Sequence, residues 1–315
     1  MEKLKSFPFM EKRKIYYIVT LVLIIASIAT GLIRGYNFGI DFTGGTLMQI
    51  EMGKEVKISE INDILSDQKI DGNVTHAGDG NTQIIIKTTD SMESDTRTAL
   101  MSALEEKYGV TDDAVLSIEN IGPSVGETLK SSAFKATAIA IVLMLIYIAV
   151  RFMWKYGIAA IIALANTVLL VIGFYGVFHI SINSPFIAAI LTILGYGIND
   201  TIVIFDRIRE LERTPSAPLD DKDLANKAIA NTLTRSLLTT LTTLVMIVSL
   251  AIFGISTIRE FALPIIFGLV AGTYSSVLLS ASTWVYLRKL FKQSNKRPAV
   301  KVKKIENTAT EAEGI

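Results

Sequence analysis

The 315-residue sequence contains no cysteine. That excludes a disulfide framework and any thiolate metal site. It has two histidines, His76 and His179, far apart in the chain, so an imidazole-built zinc or haem site is not expected. Charge is scarce where it matters most, inside long apolar runs. Half of the residues are hydrophobic and the mean hydropathy is +0.44, too apolar for an ordinary soluble domain. Six runs are long enough to cross a bilayer: 15–33, 134–152, 158–178, 184–205, 236–255 and 261–287. A polar stretch separates the first from the other five. The fold class expected is an α-helical integral membrane protein of six transmembrane helices with one aqueous domain.

The charge map orients the chain. Lys3, Lys5, Lys12, Arg13 and Lys14 precede the first run, which keeps the N-terminus in the cytoplasm by the positive-inside rule. A cleaved signal peptide is the rival reading, with small residues at Ser27 and Ala29; the long apolar run favours an uncleaved span. The segment 34–131 holds 17 acidic and 8 basic side chains, a balance that does not retain a loop inside. Arg151 and Lys155, then Arg207, Arg209, Arg213, Lys222 and Lys227, mark cytoplasmic ends, and the tail after Leu287 carries eight Lys and Arg. Both termini are thus expected inside. The division is a cytoplasmic tail 1–14, a first span 15–33, an extracytoplasmic domain 34–131, a five-helix bundle 132–290 and a basic tail 291–315 read as disordered. The tail serves as a topology signal; anionic lipid or ribosomal RNA would also suit its charge, and no nucleic-acid partner is inferred.

The outer domain opens with GIDFTGG at 39–45, where Gly39, Gly44 and Gly45 permit tight turns beside Asp41 and Phe42. Met48, Ile50 and Met52 alternate with Gln49 and Glu51 as in a strand. Ile58, Ile61 and Leu65 have helical spacing, 82–88 reads as a strand, and Leu100, Met101 and Leu104 line one face of a helix over 91–108. A strand at 115–121 and a weaker one at 74–77 complete strand–helix–strand–strand–helix–strand, the ferredoxin-like pattern.

Asp200 lies inside the fourth run. A carboxylate there costs about 2.5–3.5 kcal/mol on insertion scales. It needs a partner or a purpose. Arg235, at the cytoplasmic start of the next span, is the natural countercharge, and Asn231, Arg235, Thr239 and Thr242 recur as one helical stripe. Asn199 and Thr201 flank the acid, and Gly195 and Gly197 permit close approach. In general, an acid in hydrocarbon holds its proton and a guanidinium beside it drives the proton off; relative motion of the two would load and release it. The bland reading is a structural salt bridge. Intramembrane aspartyl proteolysis needs a second carboxylate sharing the site, and Asp206 lies roughly 240° around the same helix. Gly268, Gly272, Ser276 and Ser280, at every fourth position of the sixth run, read as a packing stripe. Trp284 and Tyr286 read as interfacial aromatics.

GIDFTGG at 39–45, NDTIVIFDRIRE at 199–210, TLTRSLLTTLTTL at 232–244 and GTYSS at 272–276 together resemble the SecF branch of the SecD/SecF family, within the resistance-nodulation-division superfamily. The resemblance spans nearly the whole chain. It implies a proton-driven transport component rather than an enzyme, with no cofactor beyond the proton gradient. Asp200 matches the family's proton-translocating acid and Arg235 its partner. The implied partners are SecD, the SecYEG channel, the exported preprotein, YajC-like and YidC-like membrane proteins and membrane lipid, in the bacterial cytoplasmic membrane. GIDFTGG is read as a hinge. Gly197 stands where the family commonly has Ser. The alternatives are a non-titrating scaffold of an insertion complex and half of a proton-coupled small-molecule exporter.

Overall fold

The computed structural model describes residues 8–89, 92, 94–214 and 220–291. Of the expected basic tail 291–315, all but Phe291 lies outside the described residues, as do residues 1–7 and 215–219.

The first long helix, α1 (Arg13–Arg34), stops where Gly35 takes φ 76°. The chain then runs beside the turn at 180–182: Ile182 N donates to Asn37 O at 2.7 Å and Gly39 N to Ile182 O at 2.8 Å. A one-turn helix α2 (Ile40–Thr43) leads into β1 (Gly45–Glu51), α3 (Ile58–Asp67), β2 (Gly72–Ala77), β3 (Gln83–Thr88), α4 (Ser94–Tyr108) and β4 (Val115–Ile121). The strands form one antiparallel sheet in the order β2–β3–β1–β4. Alternation along β1 puts Met48 and Ile50 inward, with Ile84 and Ile86 of β3 beside them. Ile61 and Leu65 of α3 and Leu100 and Leu104 of α4 close the core from one side. The elements occur in the expected order; of the expected helix 91–108, residues 91 and 93 lie outside the described residues.

Five more long helices complete the chain. α5 (Pro123–Arg151) follows β4 directly, with Pro123 in its first turn. α6 (Trp154–Phe178), α7 (Ser184–Glu212) and α8 (Asp221–Phe253) follow. The last crossing is α9 (Ser256–Tyr274), a π-helical turn (Ser275–Ser280) and α10 (Ala281–Leu290). All six crossings are long and apolar enough to span a membrane: this is a mostly helical, multi-pass membrane protein with a small antiparallel sheet. Two helix starts lie more than ten residues before their apolar runs. α5 begins eleven residues before its run, so the expected boundary at 131 falls inside a continuous helix, and α8 begins fifteen before its run. Hydropathy marks where a helix becomes apolar. Helix starts are set by groups such as the Asp220 cap and Asp221 and Asp223 in the first turn of α8.

α6 sits centrally, and small residues let its neighbours approach closely. A Cβ added at Gly173 would meet Ser27 Oγ of α1 at 2.0 Å, and one at Gly176 would meet Gly31 Cα at 2.8 Å. Trp284 is buried within the bundle, where it stacks on Tyr156 of α6, ring centroids 5.4 Å apart. The end of the bundle distal to the sheet is tied by Arg288, which pairs with Glu212 at 2.7 Å and Asp221 at 3.2 Å.

Candidate functional site

Asp200 lies on the inner face of α7 and is 5% exposed. Its Oδ2 has no hydrogen-bond partner among the described residues. Ser236 of α8 adjoins it, and its own Oγ is also buried and unpaired. Among the described residues Asp200 Oδ2 and Ser236 Oγ have no other partner, so two buried polar groups face only each other, which is rare in hydrocarbon without a use. Sequence reading missed Ser236, since hydroxyls abound on α8 and nothing in spacing distinguishes it.

Arg235 acts on the charge of Asp200 only at range. No ion pair joins the two within 4.0 Å among the described residues. The reason is helical direction. Arg235, Thr239 and Thr242 do form one stripe with Asn231, but that stripe is exposed, while Ser236 and Thr240 point inward. Thr239 Oγ1 donates back to Arg235 O at 2.9 Å. Asn231, with its amide turned so that Oδ1 accepts, takes Arg207 Nη2 at 2.8 Å and Nε at 3.1 Å. On α7, Thr192, Gly195 and Asn199 are exposed too, and nothing lies within 4 Å of a Cβ placed at Gly195. Asp200 thus has its back to this chain's bundle and its flanks beside an open polar face.

Thr201 belongs to a different group. Its Oγ1 reaches Gly197 O at 3.0 Å and Ser276 Oγ at 3.1 Å, and Ser276 Oγ donates to Gly197 O at 3.2 Å. Ser280 donates to Ser276 O, while Asn166 Nδ2 donates to Ser275 Oγ at 2.8 Å. The π-helical turn, a form that recurs at functional positions, places these serines against α6 and α7. Gly268 packs under Ile193, whose Cδ1 would lie 2.3 Å from an added Cβ; Gly272 is looser, 3.7 Å from Thr167 Cγ2, and Gly197 meets Leu164 Cδ2 at 3.1 Å.

The GIDFTGG segment sits at the opposite end of α7. Asp41 Oδ2 accepts from Ser184 N at 2.7 Å, and Phe42 packs on the main core. Gly44 and Gly45 have φ +75° and +125°, and a Cβ at Gly45 would lie 2.0 Å from Thr88 O. Gly39 is small for another reason than a turn: its φ is −68°, and an added Cβ would press on Asn183 Cβ at 3.0 Å. Asn183 caps α7, its Oδ1 accepting from Phe186 N at 3.1 Å, and its Nδ2 donates to Glu260.

Comparison with known proteins agrees with this arrangement. Residues 101–290 match the family described as protein export membrane protein SecD/SecF, C-terminal. Residues 32–56 match the SecD/SecF GG motif. The chain is 37% identical over 293 residues to the protein translocase subunit SecF of Sebaldella termitidis, covering 91% of this chain and 94% of that one. It is 36% identical over 295 residues to the SecF of Acidaminococcus fermentans, covering 92% and 100%. Among solved structures it is similar to SecDF, a translocon-associated membrane protein, from Thermus thermophilus: TM-score 0.81 at 33% identity, over 90% of this chain and 39% of that one. SecDF in a super-membrane-facing form is matched with TM-score 0.67 at the same identity.

Proposed function

The chain belongs to the SecD/SecF family, among the SecF subunits of the Sec protein translocase, and from that premise we propose that it uses the proton motive force to promote preprotein export. Asp200 is the proton-binding group. Its unpartnered Oδ2, buried beside an equally unpartnered Ser236, is the observation that carries the reading. A scaffold has no need of an unsatisfied carboxyl at that place. Arg235 supplies the fixed positive pole, which a guanidinium can do because it does not deprotonate. Approach of the guanidinium to the acid would release a proton held there. Each proton crossing the membrane supplies about 2.3 kcal/mol per 100 mV.

The unit is half of a larger one. The chain spans 39% of the SecDF chain it resembles, and its exposed face of Gly195, Asn199, Arg235 and Thr239 would be ruinous against lipid. We assign that face to SecD, whose matching half would cover it. The βαββαβ order and the strand order β2–β3–β1–β4 support reading the outer domain as ferredoxin-like. It would stand outside the cytoplasmic membrane, with both termini inside, and act on the preprotein emerging from SecYEG. YajC-like and YidC-like proteins and membrane lipid are further neighbours in this reading, and the proton gradient replaces any cofactor.

The test is export in cells whose sole SecF-type subunit carries Asp200→Asn, with SecD association measured alongside. Lost gradient-dependent export in an intact complex is expected. Normal export would reduce the subunit to a scaffold.

A further inference from the structure

We propose that Glu260 is the positioning residue through which the outer domain moves the Asp200 helix. The proposal rests on the reading above, that domain motion and the state of Asp200 are linked.

Glu260 joins three elements. Its Oε1 pairs with Lys87 Nζ of β3 at 3.4 Å. Its Oε2 accepts from Asn183 Nδ2, the cap of α7. Its own backbone lies in the second turn of α9, whose continuation forms the π-helical turn that touches Gly197 and Thr201. The outer end of α7 is therefore held by two carboxylates. Asp41 takes the Ser184 amide and Glu260 takes the Asn183 side chain. One carboxylate belongs to the entry of the outer domain. The other reports the position of the sheet.

The Lys87–Glu260 pair joins sheet and bundle at that point. Ile84 and Ile86 of β3 face the domain core, so Lys87 projects from the opposite face, the one turned to the bundle. Two clefts, of about 750 and 480 Å³, flank the pair, and Lys87 and Glu260 line both. The pair thus crosses a gap rather than sealing a core. Its side chains are 22% and 32% exposed, so water can take up both charges when it opens, and opening costs little. A contact that cheap is suited to being made and broken in a cycle. Each time it does so, the carboxylate that anchors the Asn183 cap gains or loses its restraint by the sheet, and α7 can shift at the end distant from Asp200.

The experiment removes the charge pair in the assembled complex while keeping an acceptor for Asn183, with ATP-driven and gradient-driven export measured separately. Lys87→Glu, and Glu260→Gln, whose amide oxygen can still accept from Asn183 Nδ2, are each expected to lower the gradient-driven component by about fivefold or more, the lower end of typical coupling between sites. The ATP-driven component should be unchanged. Lys87→Arg, which keeps the positive charge, should retain at least half of the gradient-driven component. Unaltered gradient-driven export in the first two variants, its loss in Lys87→Arg, or equal loss of both components would overturn the proposal. Asp200→Asn assayed beside them separates the two claims. Normal export there would sink proton coupling at Asp200, whereas a defective Asp200→Asn with fully active Lys87→Glu and Glu260→Gln would sink only the role of Glu260.

Discussion

Asp200 could be found in the sequence because it is the one charge set within an apolar run; its surroundings could not. Ser236 looks like Thr239 and Thr242 on paper, yet those two donate to carbonyls of their own helix and Ser236 does not. Arg235 was legible as a charge, while its direction depended on how α8 is rotated against α7, which a stripe does not fix. Two predictions belong at this scale. Replacing an unsatisfied carboxyl by an amide removes a buried charge site, so Asp200→Asn is expected to leave the thermal midpoint of the purified complex unchanged or higher while coupling is lost. A lowered midpoint would make the residue structural. At Gly45, positive φ and contact with Thr88 O leave no room for a methyl group. Gly45→Ala is expected to cost about 1–3 kcal/mol or more, seen as earlier unfolding of the outer domain in hydrogen exchange.

Among the elements, the sheet and its two helices were readable because alternation and helical spacing mark a soluble core directly. The long helices were readable only where they are apolar. The polar starts of α5 and α8 were hidden, as was the π-helical turn, whose residues Ser275–Ser280 look like any small-residue stripe. Ser276→Ala removes a link between α7 and that turn. Measured membrane hydrogen bonds average about 0.6 kcal/mol and reach about 1.7, so the change should weaken thermal stability only slightly. In the sheet domain, Tyr108 of α4 donates to Glu60 Oε2 of α3 at 2.8 Å. That bond holds the Glu60 carboxyl below the usual carboxylate range. Desolvation first, then Glu60, push Tyr108 up to about 12. The sign follows for each group. Glu60, lowered on folding, contributes stability that is present above its unfolded value and lost as pH falls through the folded one. Tyr108, raised on folding, contributes stability that is present below about 10 and lost as pH rises towards about 12. Tyr108→Phe should flatten both limbs of the pH–stability profile of that domain in the full protein. An unchanged profile would show that the bond does not form in solution.

For the whole molecule, the sequence announced six crossings and an outer domain, and the shared motifs pointed to a half unit. The contact between the halves was not legible, because an exposed residue on a membrane helix reads the same whether it meets lipid or a partner. Gly195 makes the distinction testable. An added side chain there meets nothing in this chain, so Gly195→Leu should insert and fold normally yet lose SecD on co-purification. Retained SecD would place the partner on another face.

The most direct measurement is preprotein export into membrane vesicles at fixed ATP while the imposed pH difference is varied, comparing the native complex with Asp200→Asn. The native rate is expected to rise with the gradient and the variant rate to stay at its ATP-only level. A variant rate that climbs with the gradient as steeply as the native one would contradict the assignment of Asp200 as the coupling acid.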